Sequence, residues 1–287
     1  LPAAVSWNVR SDHPVTADRC RIITPQRKRL LEILGEYRYL STAQTSLLLR
    51  PEKPASSFER GIRRMLTLLH RAGLVRRGYF LETESERLPV VPPFCYWLSR
   101  DGAGALDGGF VAGRTPYSLA HEIRISRFHI ALNRIAAAVP FIVHWRQHDL
   151  RKTVNPDALF ALTDTRLPRE ASTRYYFLEV ERSRQGHYRG GESGLITKLR
   201  RYVLYRRSPE CRKDWRHFSD FRVIVVLRNE SRERNLLSKL ASLLPDDAIW
   251  TTTLATAEEG CAFVFRTPCD YQTATHCLFA STPVSGK

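Results

Sequence analysis

Along the first third of the chain, apolar positions recur at three- and four-residue intervals in three short runs and then switch to strand-like runs. Leu30, Leu31, Ile33, Leu34 and Tyr37 follow Thr24-Pro25, a proline position that the first turn of a helix tolerates, and predict a helix ending near Gly35. Ser41-x-x-Gln44 has the form of a capping box and opens a second helix through Ala43, Leu47 and Leu48. A third start, Ser56-Ser57-Phe58-Glu59, leads a helix with Phe58, Ile62, Met65, Leu66 and Leu69 on one face. Arg60, Arg63, Arg64, Thr67 and Arg71 fall on the other face, the pattern a helix needs to lie in a DNA major groove while packing on its neighbours. Gly73 ends that helix, and Leu74–Leu81 and Phe94–Leu98 read as an antiparallel strand pair. Between them Glu82, Glu84 and Glu86 outnumber Arg87, so the loop tip is not expected to grip phosphate.

Periodicity breaks at Asp107–Pro116, a Gly/Pro-rich stretch that reads as a linker. Beyond it the pattern predicts a helix over Tyr117–Ala138 and strands at Phe141–Trp145, Asp157–Leu162 and Tyr175–Glu181. A helix over Gly194–Tyr205, a strand at Phe221–Leu227 and a helix over Arg232–Leu244 follow, and the segment Ala262–Phe265 closes the series. That order argues an α/β core. The expected organisation is a helical DNA-binding domain over 24–106, a linker at 107–116, an α/β domain over 117–265 and a tail at 266–287.

Composition adds charge to this picture. A chain of 287 residues, 43% hydrophobic and 26% charged, can bury two ordinary cores, which excludes collagenous and largely disordered readings. Lys and Arg number 45 against 29 acids, a formal +16, and 38 of the 45 are Arg, whose planar donors suit phosphate. Lys198, Arg200, Arg201, Arg206, Arg207, Arg212, Lys213 and Arg216 crowd one region, either a phosphate grip or a solvated helix. No stretch is long and apolar enough for a membrane span, and Leu1–Arg10 lacks the features of a signal peptide, so a bacterial cytoplasmic protein is expected. Six Cys without a C-x-x-C pair indicate neither a zinc ribbon nor a disulfide framework. No phosphate-binding Gly-x4-Gly-Lys-Ser/Thr run is present, so no nucleotide cofactor is expected.

The candidate chemistry is acidic. Asn155-Pro156-Asp157 enters one strand and Glu179-Val180-Glu181 closes the next. Side chains two apart share a strand face, so Asp157, Glu179 and Glu181 can converge if the strands are neighbours. Three carboxylates at strand ends would hold Mg²⁺ or Mn²⁺, which polarises a phosphodiester and acidifies water. A Glu-x-Glu on a strand also suits a solvated face.

Phe58-x3-Ile62-x2-Met65-x3-Leu69-x3-Gly73-Leu74-Val75 resembles the winged helix-turn-helix of bacterial and plasmid DNA-binding proteins, a module that in other cases binds protein. Pro156-Asp157 followed by Glu179-x-Glu181 resembles the PD-(D/E)xK phosphodiesterase superfamily, with Glu122 of His121-Glu122 in the slot of its helical acid. Glu181 stands where that superfamily has its lysine, and Lys198 on the following helix is the candidate replacement. With Phe177-Leu178-Glu179-Val180-Glu181-Arg182 and Lys198-Leu199-x2-Tyr202 added, the chain resembles the replication-relaxation family of plasmids and mobile elements and is similar to mobilisation relaxases of the same fold. The resemblance implies a winged helix-turn-helix followed by a restriction-endonuclease-like α/β domain with a mixed central sheet. It implies a catalytic set of Asp157, Glu179, Glu181, Lys198 and Glu122, with the first three as metal ligands. DNA contacts would come from Arg60, Arg63, Arg64, Thr67, Arg71, Arg200, Arg201, Arg206 and Arg207. The expected function is a DNA-binding, metal-dependent endonuclease or relaxase that recognises and nicks a plasmid or mobile-element origin. The alternative is a non-catalytic plasmid replication or transcription regulator with a degenerate nuclease-like domain. A second copy of the chain, or other mobilisation or replication proteins, are partners left open.

Overall fold

A computed structural model of the chain describes residues 22–49, 55–79, 94–106, 119–147, 154–168, 172–181, 194–215, 218, 220–244, 246–258, 264–269 and 276–279. They divide into two compact units, residues 1–126 and 127–287. The division falls inside one helix, Leu119–Ala136; the expected linker, residues 107–116, lies outside the described residues.

The first unit runs α1 (Pro25–Tyr37), β1 (Leu40–Ser41), α2 (Thr42–Leu49), α3 (Ala55–Arg71), β2 (Val75–Tyr79), β3 (Phe94–Leu98) and the short α4 (Arg100–Gly104), and then reaches the start of α5 (Leu119–Ala136). The antiparallel sheet has the order β1-β3-β2 and accompanies the three longer helices α1 to α3. The Ser41 capping box forms in full: Gln44 N donates to Ser41 Oγ at 3.2 Å, and Ser41 N donates to Gln44 Oε1 at 2.7 Å. Leu30, Leu31, Ile33 and Leu34 of α1 are buried, as are Ile62, Leu66 and Leu69 of α3. Each such side chain contributes about 1.5–3 kcal/mol on leaving water. Gly73, at φ 76°, closes α3 in a conformation costly for any residue with a Cβ, and Leu74 N then bonds back to Leu69 O at 3.0 Å.

The second unit holds the rest of α5, then β4 (Phe141–Gln147), β5 (Ala158–Asp164), β6 (Thr173–Val180), α6 (Leu195–Arg206), α7 (Pro209–Asp214), β7 (Arg222–Leu227), α8 (Glu230–Leu243), β8 (Ile249–Thr253) and α9 (Leu254–Glu258). A two-stranded pair, β9 (Val264–Phe265) with β10 (His276–Cys277), follows. The main sheet has the order β4-β5-β6-β7-β8, antiparallel through β6 and parallel from β6 to β8, which is the expected mixed α/β core. Phe177, Val223 and Val225 share a buried cluster with Leu199, Tyr202 and Val203 of α6 and Leu236 and Leu240 of α8.

Several short elements escape the sequence reading, among them β1, α4, α9 and β10, and two more, α7 and β8, have a physical account. α7 is a single capped turn in which Ser208 Oγ accepts from Cys211 N at 3.4 Å. β8 reads Ile-Trp-Thr-Thr-Thr, polar by composition, yet every residue is buried: Thr251 Oγ1 donates to Glu233 Oε1 at 2.9 Å, and the Thr253 and Thr256 hydroxyls bond one another at 2.8 Å. No described helix is long and apolar enough to cross a membrane.

Candidate nucleic-acid interface and acidic site

On α3 the alternation of faces comes out as expected. Arg60, Arg63, Arg64 and Arg71 are exposed and Thr67 is half-buried, opposite the buried Ile62, Leu66 and Leu69. The loop at 80–93, with Glu82, Glu84 and Glu86, lies outside the described residues.

The acids gather where β6 ends. Its register against β5 pairs Leu178 with Ala158, which brings Asp157, one residue before β5, to the end of β6. Asp157 N donates to Leu178 O at 2.9 Å, and Asp157 Oδ2 accepts from Val180 N at 2.8 Å. Asp157 is 1% exposed and Glu179 4%. Glu179 continues the face of Phe177 and so points at α6, which supplies two partners one turn apart. Lys198 Nζ donates to Glu179 Oε2 at 2.6 Å, and Tyr202 OH donates to Glu179 Oε1 at 2.5 Å. Burial, and then the neighbouring Asp157 carboxylate, push the Glu179 pKa up to about 7; Lys198 and Tyr202 act in the opposite direction. Two carboxylates close enough to perturb one another, with a lysine at one of them, thus sit in a mostly dry corner.

Glu181 has a different fate. Although it lies two residues from Glu179, its Oε1 pairs with Arg232 Nε of α8 at 2.8 Å and its Oε2 accepts from Arg228 N at 3.3 Å. Among the described residues there is no group of three or more His, Cys, Asp or Glu arranged to hold a metal ion. Asp157 and Glu179 still fit a hard divalent cation, because Mg²⁺ is commonly held by one or two carboxylates with water completing its shell. The mutual repulsion between them is the kind a cation relieves.

Glu122, the helical acid of the expected set, is buried in the first unit, where its charge acts on Arg38, Tyr39 and Cys95. It helps hold Arg38, at the end of α1, charged against a desolvation that lowers its pKa to about 10. The basic region also separates into two groups. Arg200 and Arg201 are exposed on α6. Arg206 is bound by Asp220 and lies 3.5 Å from carboxylate oxygens of Asp246 and Asp247, while Arg207 Nη2 lies 2.8 Å from Asp246 Oδ2. Tyr202, Arg232, Asp220 and Asp246 were not among the candidate site residues; only Tyr202 left a signal, its four-residue spacing from Lys198.

Comparison with known proteins adds the following. A model of the replication-relaxation family matches residues 31–219. No curated protein matches the chain. Among solved structures, restriction endonuclease FokI matches at 10% sequence identity over 87% of this chain and 73% of that one, with a TM-score of 0.27, too loose a superposition to place residues.

Proposed function

The chain belongs to the replication-relaxation family, and we propose that it is a DNA-binding, divalent-metal-dependent endonuclease that recognises and nicks an origin on a plasmid or mobile element. The observation that carries this reading is the meeting of Asp157, Glu179 and Lys198 at one buried strand end. Asp157 and Glu179 would hold Mg²⁺ or Mn²⁺, which supplies charge to polarise a phosphodiester and to acidify a bound water. Lys198, anchored on Glu179 and about one-third exposed, takes the part of the lysine that Glu181 displaced: it meets the incoming phosphate and offsets the negative charge that grows on it. Tyr202 fixes the second oxygen of Glu179, so the carboxylate keeps one orientation. Glu181 braces the end of β6 against α8 through Arg232 and takes no part in the chemistry.

Site selection falls to the exposed arginines of α3, whose forked donors match guanine in the major groove. Arg200 and Arg201 would add phosphate contacts. The test is to incubate the protein with supercoiled DNA carrying its own element's origin, with and without Mn²⁺, and to look for nicked circles. Wild type should nick only with metal, and Asp157→Asn should not nick at all. A second reading, a non-catalytic replication or transcription regulator, is favoured by one observation: both oxygens of Glu179 already have protein donors. If wild type binds the origin but leaves it intact at every metal concentration, the regulator takes the enzyme's place.

A further inference from the structure

The two faces of the β2–β3 ribbon differ. By register, Arg76 and Gly78 share one face with Trp97 and Cys95; Arg76 is exposed, while Cys95 and Trp97 pack with Tyr39, Leu119 and Ile123. The outer face carries Val75, Arg77 and Tyr79 opposite Leu98, Tyr96 and Phe94. Its end near α4 is closed, with Val75, Leu98 and Tyr96 all buried, while its other end is open. There Tyr79 is 61% exposed and stands 4.4 Å from the Phe94 ring, centroid to centroid, and the Arg77 guanidinium lies 4.5 Å over that same ring. Among the residues whose side-chain exposure is described, Tyr79 is the one exposed Phe, Tyr or Trp. A single exposed tyrosine needs no explanation. An exposed tyrosine packed on a half-buried phenylalanine that also carries a guanidinium does, because it leaves the outer ring of the stack in water with a cation held on its partner ring.

We propose that this end of the ribbon is a stacking ledge for unpaired nucleobases, so that the unit holds single-stranded as well as duplex DNA. The chemistry fits on both counts. Aromatic rings stack on any base, and a cation beside them attracts the phosphate that follows it. Arg77 sits on the ledge, and Arg63 of α3 is near enough that both cations act on the hydroxyl of Tyr96, the residue between Phe94 and Leu98 on the outer face. The ledge therefore adjoins the arginine face assigned to the duplex. This inference goes beyond strand cleavage and does not depend on it.

The experiment uses the full chain and two probes, oligo(dT) and a random duplex, with affinities measured by fluorescence anisotropy at one salt concentration. Tyr79→Ala should weaken oligo(dT) binding about tenfold and leave duplex binding within about twofold, because a base stack involves only unpaired bases. Tyr79→Phe should restore binding, since the ring and not the hydroxyl does the stacking. Ultraviolet cross-linking of oligo(dT) carrying 5-iodouracil should label Tyr79 or Phe94 in the wild type. Three results would each overturn the proposal: no oligo(dT) binding by wild type, no change in Tyr79→Ala, or equal weakening on both probes. The outer surface position of Tyr79 keeps the fold out of the comparison, and thermal melting of each variant checks this.

Discussion

The two charged regions of this protein handle charge in opposite ways. On α3 the arginines stand in water on a helix whose other face supplies the packing, so the fold asks nothing of them. At the end of β6 each carboxylate is buried and held: Glu179 by Lys198 and Tyr202, Glu181 by Arg232, Asp157 by the Val180 amide. Exposed charge of the first kind costs little to keep and is open to a ligand. Buried charge of the second kind carries a desolvation cost that its partners offset, and a change there alters chemistry and stability together. The contrast sets the size of what each substitution should do.

The largest effects belong to the buried acids and their lysine. Lys198→Met should lower nicking by about 10²–10³-fold, the usual cost of removing one charge-stabilising donor, with little damage to the fold because the side chain is partly exposed. Glu181→Gln should do the reverse. Nicking should stay within severalfold, while denaturant melting should show a drop of about 2 kcal/mol, since Arg232, 19% exposed, loses the charge of its Glu181 partner in a site that is not fully dry. If Glu181→Gln ends nicking and Lys198→Met does not, the division of labour between Glu181 and Lys198 is reversed.

Next comes the pH dependence of stability. Glu179 has its pKa raised to about 7 from an ordinary 4.5 by burial and by Asp157. Below the unfolded value both states carry the proton, and Glu179 contributes no change with pH. Between about 4.5 and 7 the unfolded chain has released a proton that the folded chain keeps, so stability falls as pH rises through this window. The fall should be at most about 3 kcal/mol, and it should flatten above 7. Glu179→Gln should remove that slope in urea melts run from pH 4.5 to 8 without metal. An unchanged slope would assign it to other groups.

Against these outcomes, what the sequence made legible was the periodic part. The stripes of α1 and α3, the Ser41 cap and the strands around Asp157 and Glu179 are local patterns, and each appears within a few residues of its expected place. Lys198 was legible because it lies on the next helix in a short motif. The pairings were not. Arg232 reaches Glu181, and Asp220 and Asp246 reach Arg206 and Arg207, across chain separations that only the finished sheet brings together. β8 hid for a related reason: its threonines look polar until Glu233 and the backbone of Arg266 satisfy Thr251. The electrostatic neighbours of Glu122, Arg38 and Tyr39, were not legible either, since they come from a distant part of the chain.

On the exposed side, Arg63→Ala with Arg64→Ala should cost about 1–3 kcal/mol per bidentate base contact on the origin and much less on random DNA, with melting temperature nearly unchanged. Competition binding with origin and random duplex reads this directly. Equal weakening on the two would make these arginines phosphate contacts that position the helix without reading bases.

The smallest effect separates two pairs of arginines on neighbouring turns. Arg200 and Arg201 are exposed, so each phosphate they neutralise releases a counterion, and changing both to Gln should flatten the slope of log K against log salt by roughly 0.9 for each phosphate no longer neutralised. Arg206 and Arg207 belong by sequence to the same basic run, but their charge is already taken up by Asp220, Asp246 and Asp247. Asp246 is itself buried and takes both arginines. Changing Arg206 and Arg207 to Gln should therefore move the salt slope little and lower thermal stability instead, because a buried carboxylate is left with weaker partners. The two double variants, measured side by side on one random duplex, have a definite pattern: a flatter slope with stability kept for the first pair, an unchanged slope with stability reduced for the second. A slope change of the same size in both would mean that the ion pairs open on DNA and that the whole helix grips phosphate. No slope change in either would leave α3 and the ledge beside it to carry the DNA.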